Sequence, residues 1–288
     1  MIFDKLIHLP NRLFYPLKKK DFELNNTFKK YGYIHEISKD ENIDFVNNLN
    51  KKLENIDFSN IINKSLSSNK KKYSLDYFEN LDSEIKNKIN NFFNNKDQIY
   101  KISSMLGYKV KFRRAFLLIN YFNGLNNNEG PKMFHRDADS LQDQVKVFLL
   151  LNNIDEDSGM FYFVPKNYID ENSRLPEEED RKTMNSSDRY RNYDETVIKY
   201  ANCKNYDTPI KKLNGTKGEI IYIDTGKIYH KGGYIINKSK KRFLIQAIFT
   251  PELSLSNWND NKRLNKFSWF LKQKLTTLRH KLRKNLKN

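Results

Sequence analysis

The run Gln144 to Leu151 (QVKVFLLL), read together with His135-Arg136-Asp137 just before it, constrains this chain more than any other stretch. The run has the length and apolar character of a buried strand. In extended backbone, residues i and i+2 share a face, so His135 and Asp137 point together while Arg136 points away. One imidazole nitrogen and one carboxylate oxygen make a donor pair suited to a borderline divalent ion such as Fe(II). A third donor must come from elsewhere in the chain. The other histidines are His8, His35, His230 and His280, and only His230 sits between strand-like segments, at the end of Tyr222 to His230 (YIDTGKIYH). The expectation is a triad of His135, Asp137 and His230 that leaves metal positions open for oxygen chemistry. The competing reading of an isolated H-x-D is a surface histidine with an acidic neighbour in a polar loop.

Twelve residues after His230 comes Arg242, near the start of Arg242 to Phe249 (RFLIQAIF). Alternation puts Arg242, Leu244, Gln246 and Ile248 on one face of this strand and Phe243, Ile245, Ala247 and Phe249 on the other. Both faces are largely apolar, so the strand should be buried, and a buried arginine requires an anion. No acidic residue lies on the strand to supply one. A guanidinium fork binds a carboxylate through two parallel hydrogen bonds, which suits a dicarboxylic cosubstrate held beside a metal.

The order of these segments resembles that of the 2-oxoglutarate-dependent iron oxygenases, specifically the phytanoyl-CoA dioxygenase family. The resemblance is carried by Phe134-His135-Arg136-Asp137, Val147 to Leu151, Asp155 to Pro165 (DEDSGMFYFVP) and Gly218 to Pro251, and it extends over about residues 27–251. It implies Fe(II) held by His135, Asp137 and His230, with 2-oxoglutarate and dioxygen in the remaining positions and ascorbate in support. In such enzymes oxidative decarboxylation yields succinate and an oxidant that attacks an unreactive C–H bond. Arg242 would carry the distal carboxylate of the cosubstrate. Related halogenases replace the metal-binding carboxylate with a small residue; Asp137 is retained here, so hydroxylation is the implied outcome, with desaturation or ring closure as variants. Animal members carry a cosubstrate-binding lysine after a Leu-Ile-Asn segment. Tyr121 follows Leu118-Ile119-Asn120 here and would donate its hydroxyl instead. Phe148 falls where those enzymes carry an aromatic near the cosubstrate, and Gly232 replaces a hydroxyl residue two positions after the distal histidine. The implied substrate is a small or medium-sized metabolite (lipid, glycan or natural-product-like) and need not be phytanoyl-CoA.

The expected fold is mostly β with helical additions: a double-stranded β-helix (jelly roll, cupin-like) core buttressed by N-terminal helices. An arm over 1–26 should precede a single oxygenase domain over 27–251, with helices over about 38–107 and the β core over about 108–251. Tyr31-Gly32-Tyr33 reads as the opening strand. Ser38 reads as a helix N-cap with Glu41 at the capping-box distance; further helices start at Asp82 and near Gln98, the last ending at Gly107. From Lys111 the period becomes that of strands, at 112–122, 144–152, 159–165, 219–224 and 241–250. The interval 166–213 interrupts the pattern, and its Arg189, Tyr190, Arg191 and Tyr193 suit either a lid that recognises substrate or a solvated loop. The tail over 252–288 spaces Phe267, Leu271, Leu275, Leu278, Leu282 and Leu286 as a basic amphipathic helix. That helix can pack on the domain, on a partner, or on an anionic membrane surface.

The net charge of +17 invites nucleic acid as a partner, but residues 261–288 alone hold ten Lys or Arg and no acid. DNA-repair relatives in this superfamily use two arginines on the last strand, whereas Gln246 and Ile248 follow Arg242, so no nucleic acid is expected. The alternatives to a small-molecule oxygenase are a nucleic-acid-directed one and a non-catalytic jelly-roll binding protein. A single cysteine, Cys203, fits a reducing compartment, and no signal-peptide pattern opens the chain. The expected location is cytoplasmic, or peripheral at a membrane surface; the oligomeric state is not encoded in any motif.

Overall fold

The change of period near Lys111 is where helices give way to strands. The computed structural model describes residues 18, 21–67, 74–122, 124, 134, 135, 137, 144–168 and 210–252. Five helices come first: α1 (Phe22–Tyr31), α2 (Asp40–Leu53), α3 (Phe58–Leu66), α4 (Ser83–Phe93) and α5 (Lys96–Leu106). Strands β1 (Tyr33–Glu36) and β2 (Ser74–Asp76) are interleaved with them. Then follow β3 (Val110–Tyr121), β4 (Val145–Leu150), β5 (Phe161–Phe163), β6 (Lys211–Leu213), β7 (Ile220–Ile223), β8 (His230–Gly232) and β9 (Lys241–Pro251).

The strands form two antiparallel sheets, one of six in the order β1-β7-β4-β9-β3-β2 and one of three in the order β6-β5-β8. Alternation gives the large sheet two faces with different partners. Val145, Val147, Leu149, Ile245, Ala247 and Phe249 pack against Val46, Leu49, Ile85, Ile89, Phe93 and Ile102 of the helices. Phe148, Leu150, Ile221, Ile223 and Leu244 face the small sheet, where they meet Phe163 and Leu213. The architecture is thus a mostly antiparallel jelly roll with helices buttressing one side.

Local chemistry explains the boundaries. Asp82 Oδ1 accepts from the Ile85 N–H at 2.8 Å and Asn95 Oδ1 from the Gln98 N–H at 2.8 Å, capping α4 and α5. Gly107, left-handed at φ 77°, ends α5. Two readings of the sequence change. Tyr31 ends a helix instead of opening a strand: Gly32, at φ 77°, closes α1, and β1 starts one residue later. Ser38 does not cap α2, because its hydroxyl donates to the Lys217 carbonyl at 2.8 Å and so ties the helix entrance to the turn before β7. Arg189, Tyr190, Arg191 and Tyr193, read as either lid or solvated loop, and the basic tail lie outside the described residues. No helix among the described residues is long and apolar enough to cross a membrane.

Candidate metal centre

His135 and His230 lie 95 positions apart in sequence and are joined by a reciprocal pair of backbone hydrogen bonds. The His135 N–H donates to the His230 carbonyl at 3.0 Å, and the His230 N–H returns the bond at 2.9 Å. The Asp137 N–H donates to the Thr225 carbonyl at 2.9 Å. Backbone therefore sets the spacing of all three side chains. His135, Asp137 and His230 are each at most 4% exposed, and one nitrogen or oxygen from each lies within 4.8 Å of the others. The i, i+2 geometry read from the sequence thus brings an imidazole and a carboxylate to one point, where the second imidazole joins them.

The electrostatic state of the cluster suits a cation. Burial raises the pKa of Asp137, but the Lys146 charge and its hydrogen bond to the carboxylate outweigh burial and hold the carboxyl well below its usual range. Burial and the neighbouring His135 push His230 down to about 3. Its 4.0 Å approach to Asp137 Oδ2 is therefore not an ion pair at neutral pH. The His230 Nδ1 lies 3.2 Å from the Ile228 carbonyl; as donor there, it leaves the Nε2 lone pair for a metal. The Phe161 ring stacks on the imidazole at 5.5 Å between centroids and limits its rotation. Two imidazoles, that of His230 neutral, and one carboxylate, buried and preset by backbone, fit a borderline divalent ion.

His135 and His230 open into a cavity of about 400 Å³ between the two sheets. Its wall includes Arg242, Leu244, Gln246 and Ile248 of β9, the face that alternation assigns them. Arg242 is 7% exposed and sits in register with Asn120 of β3, whose amide also lines the cavity. Ser74 of β2 pairs with Asn120 in turn, so this end of the cavity is polar. Phe148 lines the middle, with Phe116, Leu118, Leu150, Ile221 and Leu244 around it.

Tyr121 is placed differently from the sequence expectation. Its position on β3 is one past Asn120, so the side chain turns to the opposite face and packs with Ile62 and Ile119 under α3. Asn120 takes the cavity position instead. The sequence reading also passed over Lys146, whose Nζ lies 2.6 Å from Asp137 Oδ2. A usable signal was present: Lys146 shares the cavity face of β4 with Phe148 and Leu150, and a cation there has to meet a buried anion. His35 lies elsewhere, on β1, with Nε2 2.6 Å from Glu219 Oε2.

No protein-family model matches the sequence, and no curated protein does. Solved structures do resemble the fold. AviO1 from Streptomyces viridochromogenes Tue57 superposes with a TM-score of 0.53 at 10% identity, over 82% of this chain and 97% of that one. HygX from Streptomyces hygroscopicus, with nickel and 2-oxoglutarate bound, gives 0.52 at 11% identity over 82% and 88%. The non-heme alpha ketoglutarate dependent epimerase SnoN from nogalamycin biosynthesis gives 0.51 at 11% identity over 81% and 83%. At such identities the likeness establishes the fold, a jelly-roll core shared with these proteins.

Proposed function

We propose that the chain is a non-haem Fe(II)- and 2-oxoglutarate-dependent oxygenase acting on a small molecule, of the phytanoyl-CoA dioxygenase type. The observation that carries this reading is the convergence of two imidazoles and an ionised carboxylate at the wall of a cavity that also holds a buried arginine. The HygX structure contains 2-oxoglutarate with nickel, and a SnoN structure contains Fe3+ with alpha ketoglutarate and a nogalamycin compound, which supports the same occupants here.

His135, Asp137 and His230 would hold the metal. Bound there with 2-oxoglutarate and dioxygen, Fe(II) supplies an oxidant for unactivated C–H bonds. The protein's part is positioning and exclusion of water. Arg242 would hold the distal carboxylate through its guanidinium fork, with Asn120 beside it, and Phe148, Leu244 and Leu150 would keep water from the carbon chain. Asp137 would keep a carboxylate on the metal, which favours hydroxylation, and the epimerase SnoN illustrates that the fold serves other outcomes.

An anaerobic titration with Fe(II) and then 2-oxoglutarate tests the proposal. A weak visible charge-transfer band should grow to one equivalent of each in the native protein and be absent from His230→Ala. No band and no retained metal in the native protein would sink the reading.

A further inference from the structure

A fault in the regular alternation of β3 delivers a positive charge to the cavity. Up to Phe112 the strand pairs with β9 in one register, Phe112 opposite Phe249, and both rings belong to the helix side. A bulge between Phe112 and Arg114 then shifts the register, so Arg114 lies opposite Ile248 and lines the cavity. Without the bulge, residues 112 and 114 would share the helix-side face. Bulges beside sites commonly re-aim one side chain in this way. The Arg114 guanidinium lies over the Phe116 ring at 4.5 Å, which steadies it at the exposed rim of the cavity.

Lys146 of β4 registers with the same Ile248 from the other side, so Arg114 and Lys146 flank one residue of β9. Lys146 in turn touches Asp137, which places this end of the cavity beside the triad. Arg242 lies six positions away along β9, on the same cavity face. Two separate cationic stations therefore line one cavity, with apolar wall between them. Among the described lining residues Arg114, Lys146 and Arg242 are cationic and none is acidic. With Lys146 paired to Asp137 and Arg242 at the other end of β9, Arg114 is the cation that the described lining offers at the rim, with no acidic lining residue beside it.

We infer that Arg114, backed by Lys146, receives an oxyanion carried by the substrate, a carboxylate or a phosphate, and so presents the adjoining carbons to the metal centre. This inference rests on the oxygenase reading and names its substrate class. A cosubstrate held by Arg242 would leave Arg114 to the incoming molecule. The apolar wall of Phe116 and Phe148 suits a hydrocarbon or aromatic body attached to that anion.

Phenyl phosphate, phenylacetate and neutral benzyl alcohol are the probes, bound by calorimetry to full-length protein, metal-free and loaded anaerobically with Fe(II) and 2-oxoglutarate. At least one anionic probe should bind about tenfold or more tighter than benzyl alcohol, as expected for a guanidinium–oxyanion pair. In Arg114→Gln that preference should fall below about threefold, while 2-oxoglutarate affinity and melting temperature hold; Arg114→Lys should keep part of it. The two anions separate phosphate from carboxylate recognition. An equal affinity for charged and neutral probes overturns the inference. So does a preference that survives in Arg114→Gln, a loss of 2-oxoglutarate affinity in that variant, or displacement of 2-oxoglutarate by the probe. Failure of the native protein to bind metal or 2-oxoglutarate instead strikes the oxygenase reading, and anion preference on the metal-free protein is then scored separately.

Discussion

The two faces of the six-stranded sheet share strands and hydrogen bonds yet differ in everything their side chains do. On the helix side, Val145, Val147, Leu149, Ile245, Ala247 and Phe249 are all fully buried and apolar. On the cavity side, the same two strands present Lys146, Phe148, Arg242 and Gln246, and two of those are charged. One face therefore supplies cohesion and the other chemistry, with a single residue of register separating the roles. The comparison explains how a strand can carry a buried arginine: its opposite face holds the sheet in place whatever the cavity face does.

The division can be broken or sharpened by substitution. The largest effect belongs to the helix side, where Phe249→Ala should lower the unfolding free energy by roughly 3–5 kcal/mol. Metal affinity of the fraction still folded should be unchanged; urea unfolding beside a metal titration reads both, and a small stability cost would blur the distinction between faces. Next comes Lys146→Met, which removes the cation beside the Asp137 carboxylate and should cost the metal-free protein about 3 kcal/mol. Added Fe(II) or Mn(II) should restore most of that loss and bind more tightly than in the native protein, since Lys146 no longer holds Asp137 Oδ2. Thermal melts with and without metal decide it; an equal deficit in both would assign Lys146 to packing alone.

Arg242→Lys should be milder. It keeps the charge and loses the fork, so 2-oxoglutarate should bind about tenfold more weakly while the melting temperature shifts by less than about 3 °C. Calorimetry with 2-oxoglutarate makes the measurement, and unchanged affinity would remove Arg242 from the cosubstrate. The smallest contrast lies between two neighbours on β3. Asn120→Ala should weaken 2-oxoglutarate binding about threefold, the scale of one hydrogen bond, and Tyr121→Phe should leave it within error. The reverse result would return the tyrosine to the site.

How much of this could be read in the sequence follows from what kind of interaction sets each feature. His135, Asp137 and His230 were legible because local alternation fixes the first two and few histidines compete for the third place. Arg242 was legible because a charge in an apolar strand must be answered. Tyr121 was misread for want of one residue of register: a likeness of motif does not fix a face, whereas pairing with β2 and β9 does. Arg114 was invisible because a bulge follows from long-range pairing and breaks the very period that sequence reading relies on. The helix α1 was missed for a related reason, since its stability comes from tertiary contacts such as Asn25 Nδ2 donating to the Ser104 and Met105 carbonyls at 2.9 and 2.8 Å.

The pairing of β5 with β6 has a consequence for how such a protein can change over time. Phe161, Tyr162 and Phe163 lie opposite Leu213, Lys212 and Lys211, so the chain leaves the small sheet and returns to it on adjacent strands. His230 sits on the far side of β5, anchored there opposite Phe163. Everything from residue 169 to 209 is thus a detour that starts and finishes at one place in the fold. Doubling the length of such a detour costs only about 0.6 kcal/mol in closure entropy. A change in the length of that connection therefore leaves the pairing that anchors His230 in place, at little cost in stability.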